Sequence, residues 1–111
     1  MLRRIVAVAC LGVFWTVSLA TAQQKLKVEV SNAGFKPKVL TLRRGETIRL
    51  VLTTADEEHC FAVDALRIEK RIVPGKATEV DLSVEKAGSL PFYCCLEPNR
   101  EALRGRIVVT E

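Results

Sequence analysis

The chain has 111 residues, enough for one domain at most, with 17 basic against 13 acidic residues and a net charge of +4. The basic residues are scattered and aromatic residues make up only 5%, so no stripe that would read nucleic acid is expected. One histidine, His59, with no serine or aspartate at a matching spacing, offers no hydrolytic constellation, and no enzyme is expected.

Residues 1–22 have the composition of an export signal. Arg3 and Arg4 form a basic start, Ile5 to Leu19 is an almost unbroken apolar run, and Ala20-Thr21-Ala22 is a small-residue cleavage site. The run is short for a membrane anchor, and the residues beside Arg3-Arg4 argue for general secretion over the twin-arginine route. Cys10 sits too early in the apolar run to be a lipidation site, and it leaves with the signal. Cleavage leaves residues 23–111 as one domain, 89 of the 111 residues. Two of the 17 basic residues are lost, so 15 face 13 acidic ones, and no membrane anchor remains. The expected location is the periplasm or the outside of the cell.

Along that domain the pattern is one of short strands. Leu26–Val30 alternates apolar and polar, and Asn32-Ala33-Gly34 turns the chain. Val39–Leu42 is next, Arg43–Glu46 turns again, and Thr47–Thr54 is a long β-branched strand. The polar loop Ala55–Glu58 leads to the short strand His59–Val63. Ile68–Val73, Ala77–Val84 and Ser89–Cys94 follow, separated by Pro74-Gly75-Lys76 and Glu85–Gly88, and Arg106–Thr110 closes the chain. Seven or eight strands with turn signals roughly every 8–12 residues, and no amphipathic helix, predict an all-β sandwich or barrel.

Three cysteines remain in an oxidising compartment: Cys60, Cys94 and Cys95. An odd number leaves at least one thiol without an intramolecular partner. A thiol-redox role has little support, since there is no C-x-x-C and no helix N-terminus to activate a thiol.

The order and spacing of several elements resemble the cupredoxin family, Greek-key β-sandwiches of small blue copper proteins. The resemblance spans nearly the whole domain. It is carried by Phe35-x-Pro37, by Gly45-Glu46-Thr47-Ile48 and by the loop Asp56-Glu57-Glu58-His59-Cys60-Phe61. Pro74-Gly75-Lys76, then Ala87-Gly88-Ser89 with Phe92-Tyr93-Cys94, and Leu103-Arg104-Gly105 leading into Ile107-Val108-Val109 complete it.

The resemblance implies copper as cofactor, with His59 matching the family's first histidine ligand and Cys94 its cysteine. It also exposes departures. Where the second histidine belongs, three to five residues past Cys94, stand Glu97 and Asn99, and Leu103 occupies the axial position in place of methionine. The expected ligand set is therefore His59, Cys94 and Glu97, an N,S,O set completed by water or a partner's donor. Asp56, Glu57 and Glu58 form a short acidic loop that is either simply solvated or raises the basicity of His59 and attracts cations, copper included.

In this family the residues following the first histidine and the cysteine ligand face one another. Here these are Cys60 and Cys95, which implies a Cys60–Cys95 disulfide with Cys94 left as the ligand thiol. Strand alternation agrees with that pairing, while free thiols, a Cys60–Cys94 bridge and a bridge between the adjacent cysteines stay open. The function implied is an exported copper-binding protein, an electron carrier or copper handler, with a redox or copper-transfer protein as partner. The alternative is a binding or structural module of the same fold that has lost its metal.

Overall fold

In the computed structural model, which describes residues 24–111, nine strands form two sheets. The predicted export signal and Cys10 lie outside the described residues. The first sheet has the order β2-β1-β4-β7: β2 is Gly34–Lys36, β1 Gln24–Ser31, β4 Thr47–Thr54 and β7 Thr78–Ser83. The second has the order β3-β9-β8-β5-β6: Val39–Arg43, Arg104–Thr110, Gly88–Tyr93, His59–Val63 and Ile68–Ile72. The predicted all-β sandwich of the cupredoxin type is the fold observed.

Period-two alternation accounts for most of the strands. In β4 the buried positions are Ile48, Leu50, Leu52 and Thr54, with the intervening residues turned outward. Val28 and Val30 of β1, Leu40 and Leu42 of β3, Val80 and Leu82 of β7, and Ile107 and Val109 of β9 complete the same inner layer. Each large side chain removed from water there contributes roughly 1.5–3 kcal/mol. Two parallel pairings close the sandwich: Val28 lies opposite Leu52, and Leu40 opposite Ile107.

Two elements depart from simple alternation. Gly34–Lys36, where the local pattern marks only the turn at Gly34, forms the short edge strand β2, with Phe35 opposite Val30. Pairing there delivers the Phe35 ring to the core, which no local pattern signals. In β5, which lies between β8 and β6 in its sheet, all five residues are buried. Phe61 faces the core against Phe35 and Phe92, so Cys60 and Ala62 face the other side of the sheet.

The glycine at the start of β9 has a steric reason. A side chain at Gly105 would collide with the Lys38 carbonyl and the Phe92 ring. That close approach lets β9 carry Leu103, immediately before it, against the end of β8.

Candidate metal site

The site lies where β5 begins and β8 ends. Antiparallel pairing places Ala62 opposite Tyr93. Carried past the end of β8, the same register brings Phe61 opposite Cys94 one residue on and Cys60 opposite Cys95 two residues on, which sets His59 diagonal to Cys94 on the inner face. Such diagonal neighbours lie about 7–8 Å apart, within reach of long side chains. Cys60 and Cys95 are disulfide-bonded, with Cα atoms 5.3 Å apart. Among the described residues Cys94 is the free cysteine, and it is fully buried. The pairing implied by the family resemblance is the one found, and the alternation of adjacent residues explains it. His59 and Cys94 point into the sandwich, while Cys60 and Cys95 point out of it.

His59 is 1% exposed. Its Nε2 lies 2.9 Å from Oδ1 of Asp56, three residues earlier. The Asp56 carboxyl is held well below the usual carboxylate range, chiefly by the backbone N–H of Asn32, with further hydrogen bonds from the Glu57 N–H, His59 and Thr54. An ionised carboxylate only accepts, so in this pairing Nε2 donates, and in that tautomer of the neutral ring Nδ1 is the atom with a lone pair to offer. Nδ1 is buried and has no hydrogen-bond partner. Most buried polar groups are paired. An imidazole nitrogen left bare while a carboxylate fixes the opposite nitrogen is the arrangement of a metal-ligating histidine.

The loop after Cys94 is closed by backbone hydrogen bonds at three-residue intervals. The N–H groups of Glu97, Arg100 and Leu103 donate to the carbonyls of Cys94, Glu97 and Arg100 (3.0, 3.2 and 3.0 Å). The Cys94 N–H donates to the Leu103 carbonyl at 3.1 Å. The loop thus returns Leu103 to Cys94. Leu103, which the family resemblance matches to a methionine, is fully buried and apolar.

Glu97 is placed differently. Its carboxylate is 41% exposed and pairs with Arg100 at 3.1 Å. Among the described residues, His59, Cys94 and Glu97 do not gather as a group of metal donors; the three that converge within 4.8 Å are Cys60, Glu69 and Cys95.

Sequence reasoning anticipated the acidic loop beside His59 but missed what fixes it. Asn32, read only as a turn residue, donates its N–H to Asp56 Oδ2 at 2.8 Å and its side-chain amide to Glu57. Arg100 donates to the Asn32 carbonyl at 3.0 Å and to its Oδ1 at 3.3 Å. The chain Arg100–Asn32–Asp56–His59 therefore ties the loop after Cys94 to the histidine loop. It spans 68 residues of sequence between Asn32 and Arg100, and no local motif announces it. Glu58, by contrast, turns away to Arg71 at 2.9 Å.

A family profile described as the cupredoxin-like domain matches residues 4–109. Among curated protein sequences no relative matches. Solved structures do. The periplasmic domain of subunit II of cytochrome oxidase (CoxB) of Bradyrhizobium japonicum is 17% identical with a TM-score of 0.69, covering 79% of this chain and 84% of that one. The metal-binding domain of the Streptococcus pneumoniae D39 Cu(I)-exporting P-type ATPase CopA, solved with Cu(I), is 18% identical with a TM-score of 0.69, covering 85% and 92%. Auracyanin A, a "blue" copper protein from Chloroflexus aurantiacus, is 14% identical with a TM-score of 0.66, covering 78% and 98%. At these identities the likeness is one of fold. With two sheets of the same architecture and a family profile matched over almost its whole length, the chain belongs to the cupredoxin-like domain family.

Proposed function

We propose that the protein is an exported copper-binding member of this family, directed out of the cell interior by residues 1–22. It carries electrons or holds copper for transfer to a protein partner, and it does not catalyse a reaction of its own. The observation that carries this reading is His59 Nδ1, a buried nitrogen with no partner, on the face that also holds the free buried thiol of Cys94. Imidazole nitrogen and thiolate sulfur are donors suited to copper. Glu97 would be the third donor of the proposed set, on condition that it leaves its ion pair with Arg100. Bound copper would supply one-electron exchange or a transferable ion. The chain's own part would be to fix the His59 ring through Asp56, to shield the Cys94 sulfur from water and to offer, in Leu103, an apolar side chain rather than a further sulfur donor.

The test is titration of the purified protein with Cu(I) and Cu(II). One equivalent is expected to bind, with thiolate-to-copper charge transfer in the visible for Cu(II), and both binding and band are lost in Cys94→Ser. Binding no greater than that of Cys94→Ser overturns the proposal and leaves the alternative, a module of this fold that holds no metal.

Asp56 gives a graded prediction. Asp56→Ala is expected to lower copper affinity by about 10–100-fold, because the ring loses the group that fixes its tautomer and orientation. Glu58→Gln serves as the control: Glu58 pairs with Arg71 rather than with His59, so its affinity should match the parent in the same competition titration.

A further inference from the structure

Cys60 and Cys95 lie back to back with the proposed copper donors, on the opposite face of the same two strand ends. Glu69 of β6 joins them there. It pairs across the ladder with Ala62, which shares its face with Cys60. One donor atom from each of Cys60, Glu69 and Cys95 lies within 4.8 Å of the others. In the oxidised protein the two sulfurs are bonded to each other and carry no thiolate.

We propose that reduction of the Cys60–Cys95 disulfide by an external dithiol creates a second metal site. It would take a thiophilic cation of the Zn2+ class, with the Cys60 and Cys95 thiolates and the Glu69 carboxylate as protein donors. This site does not depend on copper binding by His59 and Cys94.

The geometry needs little change. Metal–sulfur bonds of about 2.3 Å in a tetrahedral site hold two sulfurs a little under 4 Å apart, which adjacent strands already allow. The Cα atoms at 5.3 Å would stay where the ladder holds them. Access is from the solvent side: Cys60 is buried, Cys95 half-buried and Glu69 exposed. Two thiolates and one carboxylate form a mixed soft and hard set suited to a borderline divalent cation, with water completing the four positions.

The chemistry balances. A thiolate of the reductant attacks Cys95 Sγ, the more accessible sulfur, forming a mixed disulfide and releasing Cys60 as thiolate. The second thiol of the reductant then attacks the reductant's own sulfur in that bond, releasing Cys95, and the reductant departs as a cyclic disulfide. Two electrons and two protons are transferred to the protein, and the cation displaces those protons from the two sulfurs when it binds.

The experiment uses Cys94→Ser protein, which removes the other thiol, so its outcome is separate from that of the copper titration. The protein is reduced with excess dithiothreitol, desalted without air and titrated with Co2+. One equivalent is expected to bind, with thiolate-to-cobalt absorption in the near ultraviolet, while the oxidised protein shows no such band. Adding Glu69→Gln should weaken binding by about tenfold or more. Far-ultraviolet circular dichroism is followed in the same cell. If reduction alone lowers the β-sheet signal, one equivalent of Co2+ should restore it. Absence of the charge-transfer band in the reduced protein, failure of Co2+ to restore a lost sheet signal, or unchanged affinity in Glu69→Gln each overturns the proposal.

Discussion

Replacing both cysteines of the bridge, Cys60→Ala with Cys95→Ala, is expected to lower the unfolding free energy by ~3–4 kcal/mol. The bridge joins residues 35 apart in sequence, and a cross-link closing a loop of that length removes about that much chain entropy from the unfolded state. For a domain of this size each kcal/mol shifts the melting temperature by about 4–8 °C, so a fall of roughly 15–30 °C is expected. Alanine is the appropriate replacement because Cys60 is fully buried, and a serine hydroxyl there would add its own desolvation cost. Urea and thermal unfolding under oxidising conditions measure the effect, and reduction of the parent protein should reproduce most of it. A loss below about 1 kcal/mol would mean that the bridge does not restrain the unfolded chain as argued. Cys94→Ala, which leaves the bridge intact, serves as the comparison.

Phe92→Ala should destabilise the fold by about 3–5 kcal/mol. The ring is fully buried and packs edge-on to Phe35 at 4.9 Å and against Phe61 at 5.0 Å between centroids. Those two rings come from opposite sheets, so the cavity left behind opens at the seam between the layers. Phe92 also precedes Cys94 by two residues on the inner face and lies against Gly105. Gly105→Ala alone should therefore destabilise as well, by about 1–3 kcal/mol, through overpacking. The two effects should not add. With the Phe92 ring gone, one of the two obstacles to a side chain at position 105 disappears and only the Lys38 carbonyl remains. A double-mutant cycle by urea denaturation should give a coupling of about 0.5 kcal/mol or more. Strict additivity would show that the ring does not set the spacing at the base of the loop.

The sequence alone determined the strands whose inner and outer residues alternate, such as Thr47–Thr54, because period-two burial is written in neighbouring residues. Through the family resemblance it also singled out His59, Cys94 and the partnership of Cys60 with Cys95, with which the opposite facing of adjacent residues agrees. Tertiary structure decided the rest. Phe35 enters the core where Gly34–Lys36 pairs at a sheet edge, and β5 is buried on both faces although its sequence does not mark it as different from the other strands. Glu97 is held at the surface by Arg100, and Asn32 braces Asp56 from 24 residues away. Glu69 comes beside the disulfide through its ladder partner in β5. Local pattern fixes which way a side chain faces, but which distant side chain it meets is set by how the sheets register and stack, and that is not encoded in any short stretch of chain.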